Sequence, residues 1–182
     1  MKYFEVVPDQ EIANPIQIQR VDRNIYKNAI SEEDFQTIPA LAVGYFENLP
    51  ERELYDVLHE PTFLLSDRVK RLLSLYAPKM EFKGIQLFAM EEQDNTAPLY
   101  WIPHIAPLEC LSDETSKYPN GAVKQLVLDG GKVLKQNIFR VAGILEQKII
   151  VSLPIAESML RRKVSGISFV PVRFSGGCDE QK

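Results

Sequence analysis

Phe63-Leu64-Leu65-Ser66-Asp67-Arg68-Val69-Lys70-Arg71-Leu72-Leu73-Ser74-Leu75-Tyr76 is the stretch on which the reading of this fold turns. Phe63-Leu64-Leu65 is short and apolar, as a buried strand is. Ser66 follows, and a serine hydroxyl accepts the free N–H groups that open a helix. Asp67 adds a negative charge where the helix dipole favours it. Val69, Leu72, Leu73 and Tyr76 fall at i, i+3, i+4 and i+7, one apolar face at helical period. Pro78 stops the helix, and Phe82-Lys83-Gly84-Ile85-Gln86-Leu87-Phe88 re-emerges as a strand.

The same order recurs from Lys148 to Val172. Ile149-Ile150-Val151 is the strand and Ser152 the cap. Pro154 sits in the first turn, where its missing N–H costs little. Ile155, Ala156, Met159 and Leu160 make the apolar stripe, and Val164-Ser165-Gly166-Ile167-Ser168-Phe169-Val170 returns. Both returns carry Gly-Ile, and glycine there permits a sharp turn and close approach to a neighbouring backbone. Two such units can lie in one sheet as parallel pairs, each helix crossing over its face. The expected fold class is α+β: a mostly β sheet with two or three packed helices, containing two strand-Ser-helix-strand units.

Outward from these units the signals are shorter. Lys2 to Val7 and Pro15 to Gln19 alternate as strands do, and Leu41 to Phe46 reads as a third. Ser31-Glu32-Glu33-Asp34 is a cap followed by acids, the start of a short helix. Glu51 to His59 fits a short helix with Leu54, Val57 and Leu58 on one side. Leu99-Tyr100-Trp101-Ile102 is an aromatic strand stopped by Pro103. The stretch from Pro107 to Gly121 is loop-like. Val123–Leu128 and Lys132–Leu134 flank Asp129-Gly130-Gly131 as a hairpin would, and Ile138 to Val141 is one more strand. Residues 1–174 fit a single domain, with 1–60 its less typical part and 175–182 a frayed tail.

Composition sets limits. The chain has 182 residues, 45% hydrophobic and 25% charged, ordinary for a globular protein with a real core. It has no run of about 18 apolar residues and no long apolar core at its start, so no membrane span or signal peptide is expected and the cytoplasm is the expected location. Cys110 and Cys178 are too few and too far apart for a disulfide framework. Residues 1–60 hold 12 acids and 5 bases, whereas residues 61–182 hold 13 acids and 16 bases. That acidic front argues against nucleic acid and suits a basic partner.

The order of these signals resembles a family, the immunity-protein family numbered eleven of bacterial polymorphic-toxin systems, across about residues 54–174. Leu54-Tyr55-Asp56-Val57-Leu58 is similar to its opening segment and Leu65-Ser66-Asp67-Arg68-Val69-Lys70-Arg71-Leu72-Leu73 to its Ser-headed helix. Leu99-Tyr100-Trp101-Ile102 resembles its aromatic strand, and Leu108-Glu109-Cys110-Leu111-Ser112 its acidic turn. Ile138-Phe139-Arg140-Val141 and Ser165 to Val172 resemble its last two strands. The resemblance implies a protein that binds and neutralises a cognate toxin domain, and it brings no catalytic motif.

Reactive chemistry has few footholds. His59, His104, Cys110 and Cys178 lack metal-ligand spacing, and no nucleophile elbow, phosphate loop or dinucleotide fingerprint occurs. The expectation is a non-enzyme without cofactor or metal. The alternatives are a small hydrolase pairing His104 with Cys110 and a regulatory binding module unrelated to toxins. Charge and exposure nominate Glu47, Glu51, Glu53, Asp56, Glu91, Glu92 and Asp94 as partner contacts. Tyr100 and Trp101 point to opposite faces of one strand, which leaves one of them as an aromatic anchor.

Overall fold

A computed structural model describes residues 2–12, 15–21, 23–25, 31–47, 52–90 and 97–175, the side chain of Asn24 excepted. In chain order the first elements are β1 (Tyr3–Pro8), β2 (Ile18–Arg20), a 3-10 turn (Arg23–Ile25), α1 (Glu32–Thr37), β3 (Leu41–Phe46), β4 (Val57–Leu58) and β5 (Leu64–Ser66). Then come α2 (Asp67–Tyr76), β6 (Phe82–Ala89), β7 (Leu99–Pro103), β8 (Pro107–Leu108), β9 (Ser116–Lys117), β10 (Val123–Gln125) and β11 (Val127–Leu128). The last are β12 (Ile138–Val141), β13 (Ile149–Ser152), α3 (Leu153–Arg161), β14 (Ile167–Pro171) and β15 (Arg173–Phe174). The fold is mixed α+β, mostly sheet with few and short helices.

The residues gather into two compact units: Met1–Val7, Ile105–Ala156 and Phe169–Lys182 form one, and Pro8–His104 with Glu157–Ser168 the other. Both draw on residues either side of position 60, so that position is not the line along which the chain divides. The first unit carries a five-stranded sheet, ordered β14-β1-β13-β12-β8. Its core is Tyr3, Cys110, Leu128, Val133, Phe139, Val141 and Ile150. The second unit carries a six-stranded sheet, ordered β2-β3-β6-β7-β5-β4. Here the core includes Phe35, Phe46, Leu58, Leu64, Ile85, Leu87, Tyr100 and Ile102.

Both strand-Ser-helix-strand runs are present as β5-α2-β6 and β13-α3-β14, but their pairing differs from the expectation. They lie in two different sheets, and in each the outgoing and returning strands are separated by one other strand, β7 in one case and β1 in the other. β7 is antiparallel to both β5 and β6. It fills the slot that a direct parallel pair would need.

Ser66 begins α2 but makes no capping bond with its side chain. Its hydroxyl donates to Asp56 Oδ1 at 2.9 Å instead. Ser31 does cap α1, accepting from the Asp34 N–H at 3.1 Å. The segment expected as a helix over Glu51–His59 contains strand β4, because Val57 pairs with Leu65 and gives its N–H to Ser165. The expected hairpin around Asp129-Gly130-Gly131 is a turn alone: β10 pairs with β9, and β11 runs parallel to β15. Ser175, the first residue of the expected frayed tail, gives its N–H to the Leu128 carbonyl at 2.9 Å. Residues 176–182 lie outside the described residues. Among the described residues no helix is long and apolar enough to cross a membrane.

Candidate protein-binding site

Strand β3 alternates strictly. Ala42, Gly44 and Phe46 point into the core, and Leu41, Val43 and Tyr45 point out at 56%, 45% and 42% exposure. The outward row of a half-solvated sheet is ordinarily polar, and here it is apolar. Its neighbours continue the pattern. β3 lies parallel to β6 with Leu41, Val43 and Tyr45 beside Gly84, Gln86 and Phe88. β7 runs antiparallel on the far side, placing Leu99 beside Gln86 and Trp101 beside Gly84. Phe88, Leu99 and, one residue past the strand, Met90 are also exposed.

The three strands thus display one continuous apolar face. Tyr45 and Phe88 lie ring beside ring, with centroids 6.1 Å apart. Gly84 leaves the space that Leu41 occupies, for a Cβ there would sit 3.0 Å from Leu41 Cδ1. Gln86, the polar side chain in the middle, donates to the Ala97 carbonyl. At one end Lys70 from α2 stands 3.2 Å above the centre of the Trp101 ring and 5.8 Å from that of Phe82. Large contiguous exposed apolar patches are where folded proteins often meet partners, and this makes the face the candidate site.

The residues nominated from sequence have separate fates. Tyr100 is core, 4% exposed, and its hydroxyl donates to the Tyr55 carbonyl at 2.6 Å. Burial, with the Asp56 charge behind it, pushes that hydroxyl's pKa up. Trp101 is half-buried under Lys70, so of the pair it is the one on the displayed face. Glu47 follows β3 and faces Arg52 at 3.7 Å. Glu53 is exposed. Glu51, Glu91, Glu92 and Asp94 lie outside the described residues.

Asp56 is spent inside the second unit. Its carboxylate accepts Arg68 Nε at 2.6 Å, Arg68 Nη2, the Ser66 hydroxyl, and both the N–H and the hydroxyl of Ser165 at 3.0 Å. Burial raises its pKa, but the bonds from Arg68, Ser165 and Ser66 outweigh that and hold it below the ordinary aspartate value. A carboxylate with this many internal donors has little left for a partner.

Of the reactive side chains, Cys178 lies outside the described residues, and Cys110 and His104 sit among apolar neighbours. Cys110 is fully buried, and burial pushes its thiol up to about 11, so it is a thiol and not a thiolate at neutral pH. The His104 ring lies 5.0 Å from that of Phe35. Among the described residues no three His, Cys, Asp or Glu side chains gather as metal ligands.

The β3 row carried a signal that was only half readable. Leu41-Ala42-Val43-Gly44-Tyr45-Phe46 is apolar at every position, which fits a strand buried on both faces equally well. Only the register, and the exposure of Leu41, Val43 and Tyr45 among the described residues, distinguish burial from display. Compared with protein-family models and with curated proteins, the chain matches none.

Proposed function

We propose that this chain is a non-catalytic, immunity-type protein that binds and neutralises a cognate bacterial toxin domain in the cytoplasm. The observation that carries the reading is the exposed apolar face of β3, β6 and β7, where Tyr45 and Phe88 supply aromatic anchors of the kind that dominate protein interfaces, with half-buried Trp101 beneath Lys70 at one end. The resemblance in Ser66–Leu73, Leu99–Ile102 and Ser165–Val172 supports the immunity assignment. Charge selects the partner. The second unit's residues 8–104 and 157–168 hold 17 acids and 12 bases, and the rest of the chain 8 acids and 9 bases. A basic domain is steered toward such a unit, and a second copy of the chain is repelled by it.

The test is co-expression with the product of the neighbouring open reading frame. The expected result is a partner that is toxic alone and harmless with this chain. Tyr45→Ser with Phe88→Ser should lower affinity at least ~30-fold, the loss of a hot spot worth about 2 kcal/mol. The rings are 42% and 38% exposed and lie side by side, so the double variant should also lose about 1–3 kcal/mol of stability, and affinity is compared under conditions where both chains are folded. Charge reversal at Glu91, Glu92 and Asp94 should weaken the complex further. A partner that is harmless alone, or that still kills with this chain present, defeats the reading. Self-association through the face, seen by sedimentation and lost in the double variant, would replace the toxin by a second copy.

A further inference from the structure

The second unit also carries a half-open cleft of about 700 Å³, lined by none of the residues of that apolar face. That volume falls in the range of small-ligand sites. Its apolar wall includes Pro8, Ile16, Ile18 and Pro61, and Tyr55 adds an aromatic ring. Two acidic residues line it, Asp9 and Glu60, and no lysine or arginine does so among the described residues. Asp9 gives one oxygen to the Glu11 N–H at 3.1 Å. Glu60 is exposed and makes no ion pair among the described residues.

His59 adds no positive charge to the site. Its Nε2 lies 3.1 Å from the Gly166 carbonyl, so the proton belongs on Nε2 and Nδ1 is left as an acceptor. Burial lowers its pKa against the opposing pull of that carbonyl and of Glu60, which keeps the ring uncharged at neutral pH. Partial burial, then the bond and charge of Glu53 and the charge of Asp9, raise the pKa of the Tyr55 hydroxyl. Every charged or ring-nitrogen group still available in the wall is therefore an anion or an acceptor, set against aliphatic and aromatic carbon.

We propose that this cavity binds an organic monocation, an alkyl guanidinium or alkyl ammonium, with its charge held by the acidic residues Asp9 and Glu60 of the wall and its aliphatic part along Pro8, Ile16 and Pro61. Cation–π contact with Tyr55 and ion pairing with two carboxylates are the interactions that select it. The chemistry is shared by a free small cation and by an arginine or lysine side chain of a protein partner, and the assay tells them apart.

Calorimetry on the full chain at low salt and pH 7 would use butylguanidine and its uncharged isostere butylurea. A parallel arm would use a capped Gly-Arg-Gly peptide and its citrulline counterpart. A guanidinium should bind at least ten-fold tighter than its neutral isostere, a comparison that needs no variant. Asp9→Asn with Glu60→Gln should weaken it at least ten-fold. Tyr45→Ser with Phe88→Ser should leave it unchanged, which separates this site from the docking face. Tighter binding of butylguanidine assigns the site to a free cation, and tighter binding of the peptide to a partner's side chain. If neither cation binds, if the isosteres bind equally, or if the carboxylate variant binds like the native chain, the proposal is overturned.

Discussion

Asp56→Ala should cost about 2–4 kcal/mol, because several hydrogen-bond donors that converge on this largely buried carboxylate lose their acceptor together. The loss extends past Arg68. The Asp56 carboxylate also receives the N–H of Ser165 and the hydroxyls of Ser66 and Ser165. These bonds join the start of α2 and the Ser165 turn to one side chain. Arg68 is 54% exposed, so Arg68→Ala should cost only about 1 kcal/mol, since that guanidinium returns to water and the other donors remain. Urea titrations of the full chain, with hydrogen exchange at the β4 amides, would measure both. Near-equal costs for the two variants would mean that the ion pair alone matters.

The same carboxylate predicts a pH dependence. Its folded pKa lies below the unfolded one, so its stabilisation is complete above the unfolded value of about 4 and is lost as pH falls through the folded value. The native chain should therefore weaken on acidification over that window. Asp56→Asn removes this carboxylate's share and should flatten the curve there. An unchanged acid limb in the variant would place the pH sensitivity on other carboxylates.

What was legible in the sequence was local. The strand-helix-strand runs, the cap at Ser31 and the strand over Lys2–Val7 each depend on residues a few positions apart, although burial along that strand falls on Tyr3 and Val6 and does not alternate. Ser66 shows where that stops. A serine ahead of Asp67 and an apolar stripe reads as a cap, yet its hydroxyl serves Asp56, ten residues earlier. Asp56 in turn serves Ser165, 109 positions away, and no periodicity reaches so far. Leu54, Val57 and Leu58 have helical spacing, but tertiary pairing of Val57 with Leu65 overrides it. Asp129-Gly130-Gly131 has correct turn chemistry, and the strands beside it pair elsewhere. The docking face was half visible: the apolar letters of β3 were plain, while their exposure depends on what fails to cover them. The acids chosen by charge alone could not reveal that Asp56 is consumed internally.

Gly166→Ala should cost about 2–5 kcal/mol, from a strained backbone and an overfilled contact together. Gly166 has φ +94°, a region that L side chains rarely adopt, and an added Cβ would lie 2.2 Å from the Val57 carbonyl oxygen and 3.1 Å from Tyr55 Cβ. The first of those neighbours is backbone and cannot swing aside. To make room, β4 must part from the Ser165 turn. That movement breaks the Val57 N–H bond to Ser165 at 3.2 Å, the His59 bond to the Gly166 carbonyl at 3.1 Å and the Ser165 bonds to Asp56. Gly84→Ala is the control, because the atom its Cβ would crowd is a side-chain methyl of exposed Leu41 at 3.0 Å, which has solvent to move into. Its cost should stay near 1 kcal/mol or below. Since Asp56 and Gly166 hold the same two segments, Asp56→Ala and Gly166→Ala combined should cost less than their sum by about 1 kcal/mol or more. Strict additivity in that cycle would show that the carboxylate and the glycine act on separate parts of the unit.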